Sequence, residues 1–379
     1  MKLRLTLLFA MLIPAIAFGV PELRCEPLQL PMALDMKLLR SLIVQQAYTG
    51  SGETVRVLDA GDGCNQVTLS APQVQVIQGQ LRFQTTIHLQ LGTPVGGKCF
   101  MPIAWQGFVV LWQRARINEQ WQLNFATVRS VLLDSNGKSA TLSSFAWDQV
   151  KDHVHNYLNR ITIDLKPSVQ NVQNFLVSLF DAAHLNVGKS FLESMRPDQP
   201  TLTDNEVRVN ILADIATNRQ PPKDVPVVIA SPEELAGLME LWQTWDAFLV
   251  HLITQFSDKA LNESDRDILM EVLLAVRYAF EDAINSNSLT NDLIRKQFLW
   301  SWQYLEPLFH RHLLDAPSGN LLGHLSFFTA VDTLAILDRL GPSMGIEINR
   351  EGFHRLARLI SSKPDAWLQL PPGVSNQLR

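Results

Sequence analysis

The sequence predicts an α+β fold in which helices grip a long, twisted antiparallel meander, and an all-α helical bundle follows. Three observations carry this prediction. Apolar and polar residues alternate cleanly over residues 81–91, hairpin turns separate several similar runs, and the period becomes helical from residue 231 to 361. The chain has 379 residues, which is enough for two or three folded units.

Composition and charge exclude two classes of protein. Hydrophobic residues make up 46% of the chain and charged residues 18%, so we expect well-filled cores and no overall disorder. The formal net charge is -5 and no long run of Lys or Arg is present, so the sequence offers no field that would hold DNA or RNA.

The first residues have the pattern of a signal peptide, predicted over residues 1–19. Lys2 and Arg4 precede an uncharged stretch, and the small residues Ala17 and Gly19 end it. Cleavage is expected after Gly19, with Ala17 as the alternative. The apolar stretch would rise only about 21 Å as a helix, less than a bilayer core of roughly 30 Å. We therefore expect an exported, most simply periplasmic, mature chain without a transmembrane span.

Residues 20–194 are predicted to form the α+β domain. A helix from about Leu34 to Tyr48 has one apolar stripe, and strands follow it. The connections between the strands are too short for crossover helices, which predicts antiparallel pairing. Helices and one short strand close the domain and bury the apolar face of the sheet. The predicted strands span about 67–76, 81–91, 105–117, 120–133 and 160–165, and the later helices 147–158 and 167–183.

Proline content and helix-capping residues predict three segments in the rest of the chain, after residue 194. Residues 195–230 are predicted to be an edge strand, from Val207 to Ile215, and a Pro-rich linker. Residues 231–362 are predicted to be the helical bundle, with helix starts at Ser231, Ser264 and Thr290. Residues 363–379 form a tail.

Cysteine positions predict one disulfide. In an oxidising compartment Cys64 and Cys99 are the expected pair, because both flank strands near Gly-rich turns. Cys25 would then remain free. The alternative is that Cys25 pairs with one of the other two.

Motifs for catalysis, metals and cofactors are not found in the sequence, so none is predicted. His310 and His312, with Asp315 and His324 nearby, are interpreted as solvated or capping residues, because side chains two apart on a helix point away from each other. Asp59 and Asp62 are interpreted as turn residues. Glu193 is the weak candidate for a catalytic acid, against the alternative of a surface glutamate.

Two aromatic or apolar sets are candidate binding residues. The strand 105–117 is apolar on both faces, and Phe108, Val110 and Trp112 are predicted to line a ligand cavity; the alternative is a closed two-layer core. Trp300 and Tyr304 lie four residues apart and could line an aromatic groove, against the alternative of helix packing.

Two resemblances follow from these patterns. The lead helix, the long meander with its cysteine pair and the closing amphipathic helix over residues 34–183 resemble the tubular lipid-binding (TULIP) domains. The run from Leu322 to Ile360 resembles the non-catalytic N-terminal portion of large exported putative lytic transglycosylases, whose catalytic domain lies further along the chain.

These observations predict an exported, non-enzymatic binding protein of the cell envelope. Its N-terminal domain would hold an apolar or lipid ligand between sheet and helix, as the first resemblance implies, and its helical half would dock a cell-envelope partner. The alternative is a peptidoglycan-acting protein related to lytic transglycosylases, or an accessory subunit of one.

Overall fold

A computed structural model describes residues 27–139, 143–177, 179–180, 185–214, 262–312 and 321–340, and the positions 231–250 apart from 234, 238, 241, 244–245 and 248–249. The strands are β1 Leu28–Asp35, β2 Thr54–Asp59, β3 Gln66–Ile77, β4 Gln80–Val95, β5 Lys98–Ile117, β6 Gln122–Asp134, β7 Thr162–Asp164, β8 Arg196–Pro197, β9 Thr201–Leu202 and β10 Glu206–Ala213. The helices are α1 Met36–Ala47, α2 Ser143–Asn159, α3 Lys166–Val177, α4 Leu185–Glu193, α5 Glu263–Asn285, α6 Asn291–His312 and α7 Leu321–Leu340.

The predicted meander is present as a six-stranded sheet, the curled sheet, in which β2 to β7 pair in chain order. All of its neighbouring strands are antiparallel. The hairpin between β4 and β5 is closed by Gly96 and Gly97, whose positive φ values of 56° and 78° suit a tight two-residue turn. The prediction of an α+β fold with an antiparallel meander is therefore confirmed.

Helices α1 and α2 lie on one face of the curled sheet. The side chain of Asp35 caps α1 by accepting a hydrogen bond from the backbone N–H of Leu38. At the other end of α1, the buried Tyr48 hydroxyl donates to Thr85 Oγ1 at 3.1 Å, which ties the helix to β4. The Tyr157 hydroxyl of α2 donates to the carbonyl of Ala47, so the two helices are tied to each other as well.

A second, smaller sheet changes the predicted organisation. Strand β10 pairs with β1 over its whole length on one side and with β8 and β9 on the other. The prediction of an edge strand in this region was wrong, because β10 has partners on both sides and its alternate residues Val207, Val209 and Ile211 are fully buried. The segment before α1 supplies β1, in which Pro31 is tolerated because β1 is an edge strand.

The C-terminal helices share a core with the N-terminal half. Helix α7 packs against both α3 and β1. The Ser168 hydroxyl donates to the carbonyl of Leu322 at 3.0 Å, and Asn171 Nδ2 donates to Ser326 Oγ at 3.3 Å. A separate all-α domain is therefore not confirmed. The predicted helix starts near residues 264 and 290 hold, although the cap of α5 is Asn262 rather than Ser264.

The predicted cysteine pair is confirmed, with the Cys64 and Cys99 Sγ atoms at bonding distance and the Cα atoms 5.0 Å apart. The bond ties the loop after β2 to the start of β5. Gly92 lies directly against it, since a Cβ atom there would come within 2.6 Å of Cys99 Sγ and 2.8 Å of Cys64 Sγ. The absence of a side chain at this position allows the sulfur atoms to approach β4.

Several predictions concern residues outside the described ranges. They are the signal peptide over 1–19, the free Cys25, the linker after residue 214, Asp315 and the tail over 363–379. Among the helices that the structure describes, none combines the length and the apolar character needed to span a bilayer.

Candidate functional site

The candidate binding residues lie on the face of the curled sheet that points away from α1 and α2, here called the outer face. In the register, Phe108 pairs with Thr86, Val110 with Gln84 and Trp112 with Arg82, whereas Thr85, which binds Tyr48, belongs to the opposite, inner face. On its four central strands the outer face consists of Gln66, Thr68, Ser70, Gln73, Gln75 and Ile77 on β3, Gln80, Arg82, Gln84, Thr86, His88 and Gln90 on β4, Ala104, Gln106, Phe108, Val110, Trp112, Arg114 and Arg116 on β5, and Asn124, Ala126, Arg129, Val131 and Leu133 on β6.

This placement corrects the expectation that Phe108, Val110 and Trp112 face a space between sheet and helix. Side chains alternate along a strand, so these residues cannot share a face with Val109 and Leu111. The inner face is filled beside Phe83 and Gln113, where the gap between helices and sheet measures only about 10 Å³. A volume of that size barely holds one water molecule, so no lipid chain fits there.

Phe108, Val110 and Trp112 differ in how much of each side chain is exposed to a ligand. Val110 is fully buried, whereas Phe108 and Trp112 are half-buried. The guanidinium group of Arg129 lies over the ring of Trp112, with its Cζ atom 3.8 Å from the ring centroid. A cation–π interaction stabilises this arrangement. Phe108 and Trp112 are thus the members of the set that can contact a ligand.

Replacing Val110 with Trp should destabilise the protein by about 1 to 3 kcal/mol, because a fully buried site has no room for the larger side chain. Denaturant unfolding of the variant and the parent measures the change. Retained stability would show that the outer face opens at this position and would restore the cavity interpretation.

An open groove of about 380 Å³ crosses the outer face next to Phe108. The register aligns Thr68, His88 and Gln106 in one row across β3, β4 and β5, and Gln66 and Gln90 in the next row. None of these side chains hydrogen-bonds to another residue in the part of the chain that the structure describes. The groove therefore offers amide, hydroxyl and imidazole groups to a ligand.

Sequence reasoning identified the polar side of β4 but assigned it no role. The alternation over residues 81–91 places His88 and Gln90 on a face opposite the core, and the same signal exists on β3. What the sequence lacked was the register between strands, because cross-strand neighbours come from separate runs of the chain. The groove became visible only when that register was known.

Arginines gather at the end of the outer face away from the β4–β5 turn. Arg82 and Arg129 are the cross-strand neighbours of Trp112 on its two sides, and Arg114 and Arg116 continue along β5. Arg82 Nη2 donates to Gln84 Oε1 at 2.6 Å. With adjacent strands about 4.8 Å apart and alternate residues about 6.7 Å apart, their Cα atoms fall within about 15 Å.

The other predicted candidates lie elsewhere. Trp300 and Tyr304 contact each other on α6, with ring centroids 5.1 Å apart, and Tyr304 is 47% exposed. Glu193 is exposed at the end of α4. The carboxylate of Asp62 accepts backbone hydrogen bonds from Cys64 and Asn65, which lowers the pKa of its carboxyl group and agrees with a turn residue.

Of the histidine cluster, the structure describes the side chain of His324. His324 is buried in α7 rather than solvated or capping a helix, and burial lowers the pKa of its imidazole. The side chains of His310 and His312 lie outside the described part of the chain. Among the described residues, no three His, Cys, Asp or Glu side chains are grouped so that they could hold a metal ion.

Comparison with known proteins identifies no relative: no family model, curated protein or solved structure matches the chain.

Proposed function

We propose that the chain is an exported, non-enzymatic binding protein of the cell envelope that takes an apolar or lipid ligand on the outer face of its curled sheet. The observation that carries this proposal is the open groove beside His88 and Gln106, with the half-buried Phe108 in the next cross-strand row of the same face. The groove's polar side chains suit the head of an amphiphile, and the half-buried aromatic rings beyond it suit an apolar chain. The filled inner face supports placing the ligand outside the sheet.

The chemistry of the groove supports binding rather than turnover. His88 is the ionisable residue of its lining, and the lining contains no carboxylate or thiol. General acid–base and nucleophilic catalysis need a base within hydrogen-bond reach of a second reacting group. An imidazole among amides meets that requirement poorly, so we assign the groove a recognition role.

The ligand surface can be tested with the neutral probe N-phenyl-1-naphthylamine. Phe108→Ser should weaken probe binding about tenfold, because each 1.4 kcal/mol of lost apolar contact is a factor of ten. Phe100→Ser is the matched control, since Phe100 lies on the same strand and is 63% exposed, but lies near the turn. Fluorescence titration measures both variants, and native mass spectrometry of the parent identifies co-purified lipid.

Two results would contradict this proposal. One is equal weakening by Phe108→Ser and Phe100→Ser. The other is a parent that neither binds the probe nor carries any lipid.

A peptidoglycan-related role is the second candidate, and the amide groups of the groove favour it. Amides such as those of Gln66, Gln90 and Gln106 both donate and accept hydrogen bonds, as sugar hydroxyls require. Co-sedimentation with purified peptidoglycan, lost on His88→Ala but kept on Phe108→Ser, would favour this role over a lipid ligand. Release of soluble muropeptides that disappears in Glu193→Gln would show an enzyme instead.

A further inference from the structure

The four central strands of the curled sheet, β3 to β6, carry no acidic side chain on the outer face. The chain contains 37 Asp and Glu residues against 32 Lys and Arg, yet none of the outer-face residues of β3 to β6 is acidic. At the two edges of the same face, Asp59 on β2 pairs in register with Gln66 and forms an ion pair with Arg56, and Asp164 on β7 pairs in register with Gln122. The central strands of the face are therefore positive in a chain whose net charge is negative.

The arginines of the central strands have no counter-ion among the described residues. Arg82, Arg114, Arg116 and Arg129 form no ion pair with any described carboxylate, whereas Arg40, like other arginines of the chain, is paired with an acidic side chain. Arg114 and Arg116 are exposed, and both stand on a rigid central strand. Their guanidinium groups remain available for an external anion.

Aromatic and apolar side chains lie among these arginines. Trp112 stands between Arg82 and Arg129 in one cross-strand row, and Phe108 follows farther along the same strand. On the next row Ile77, at the edge of the arginine group, is 39% exposed. Positive and apolar groups therefore share one sheet face, on which Arg114, Arg116 and Arg129 are exposed.

We propose that this face docks on the surface of an anionic phospholipid membrane, with Arg82, Arg114, Arg116 and Arg129 on the headgroup phosphates and Trp112 at the interface. An anionic membrane complements this face, because its surface is broad and negatively charged and the layer just below that surface is apolar. Tryptophan suits that boundary, since its ring is apolar and its N–H is polar. This inference rests on the proposed function and adds the charge class of the lipid.

Vesicle sedimentation with the full mature chain tests the inference. The parent should bind phosphatidylcholine vesicles that contain phosphatidylglycerol and should not bind vesicles of phosphatidylcholine alone. The double variant Arg114→Gln/Arg116→Gln should bind the anionic vesicles roughly 30-fold more weakly, the change expected for two arginines near a charged surface. Salt near 1 M should release the parent, because the Debye length then falls to about 3 Å.

The matched control removes the same charge elsewhere. Lys189 on α4 and Arg266 on α5 are exposed, so Lys189→Gln/Arg266→Gln should leave vesicle binding unchanged. Circular dichroism of each variant verifies that the fold is intact. Equal loss in both double variants, or equal binding to neutral vesicles, would overturn the proposal.

The test also separates this inference from the proposed function. Probe binding that depends on Phe108, together with no binding to anionic vesicles, would leave the apolar site in place and refute the membrane contact. Tight binding of polyglutamate with no binding to vesicles would show that the arginines meet a soluble polyanion, which would likewise refute it.

Discussion

Replacing Leu325 with Ala should destabilise both halves of the chain at once. Leu325 is fully buried in α7, the helix that packs against α3 and β1, so its loss should cost about 2 to 5 kcal/mol. Because α7 shares a core with the small sheet, the cavity should weaken the strands as well as the helices. We expect a single unfolding transition at lower denaturant concentration.

Hydrogen-exchange mass spectrometry shows which elements the cavity weakens. Peptides from β1 and β10 should lose protection together with peptides from α5 to α7. Leu274→Ala is the matched control, because Leu274 lies on α5 and is 43% exposed, and it should change stability by less than about 0.5 kcal/mol. Faster exchange in the helices with unchanged protection in β1 would show an independent helical bundle, as the sequence predicted.

Removing the disulfide should cost about 3 to 4 kcal/mol. The bond joins residues separated by 35 positions, and in the chain-entropy model this gain comes from the constraint it places on the unfolded chain. Cys64→Ala/Cys99→Ala should therefore unfold at lower denaturant concentration than the parent. The variant should also be insensitive to reducing agent, whereas reduction should bring the parent to the same lower stability.

Cys25 supplies the control for this change. Cys25→Ala should leave both stability and redox response unaltered, because Cys64 and Cys99 already form a pair. Peptide mapping without reduction identifies the linked peptides directly. A disulfide that includes Cys25, or a Cys25→Ala variant as unstable as the double variant, would favour the alternative pairing.

Local patterns determined much of the curled sheet. The alternation over residues 81–91 identified β4 and its inner face, and the Asn118–Glu119 and Gln78–Gly79 turns lie where strands end. These features depend on near neighbours in the chain, such as the side-chain period of two in a strand and the backbone preferences of Gly and Asn. The cysteine pair was predicted for the same reason, since both residues flank strand ends.

Other features depended on partners far away in the chain. Residues 28–35 form a strand only because β10, from residue 206 onwards, lies beside them, and a Pro-containing segment alone predicts no strand. Helix α7 is buried against α3 and β1, although its sequence fits the core of a separate bundle equally well. Hydrophobicity fixes that such elements are buried, but it does not fix which surface covers them.

In the candidate site, too, some features follow from the local sequence and others from partners far away in the chain. The sequence by itself determined that Phe108, Val110 and Trp112 share one side of β5 and that Val109 and Leu111 share the other. Only the tertiary structure decided which side meets the helices, and it brought Arg82 and Arg129 to Trp112 from neighbouring strands. The physical reason is that β5 is apolar on both sides, so alternation separates its two faces but does not show which one is buried under the helices. Strand register and helix packing assign one face to the core and the other to the outer surface.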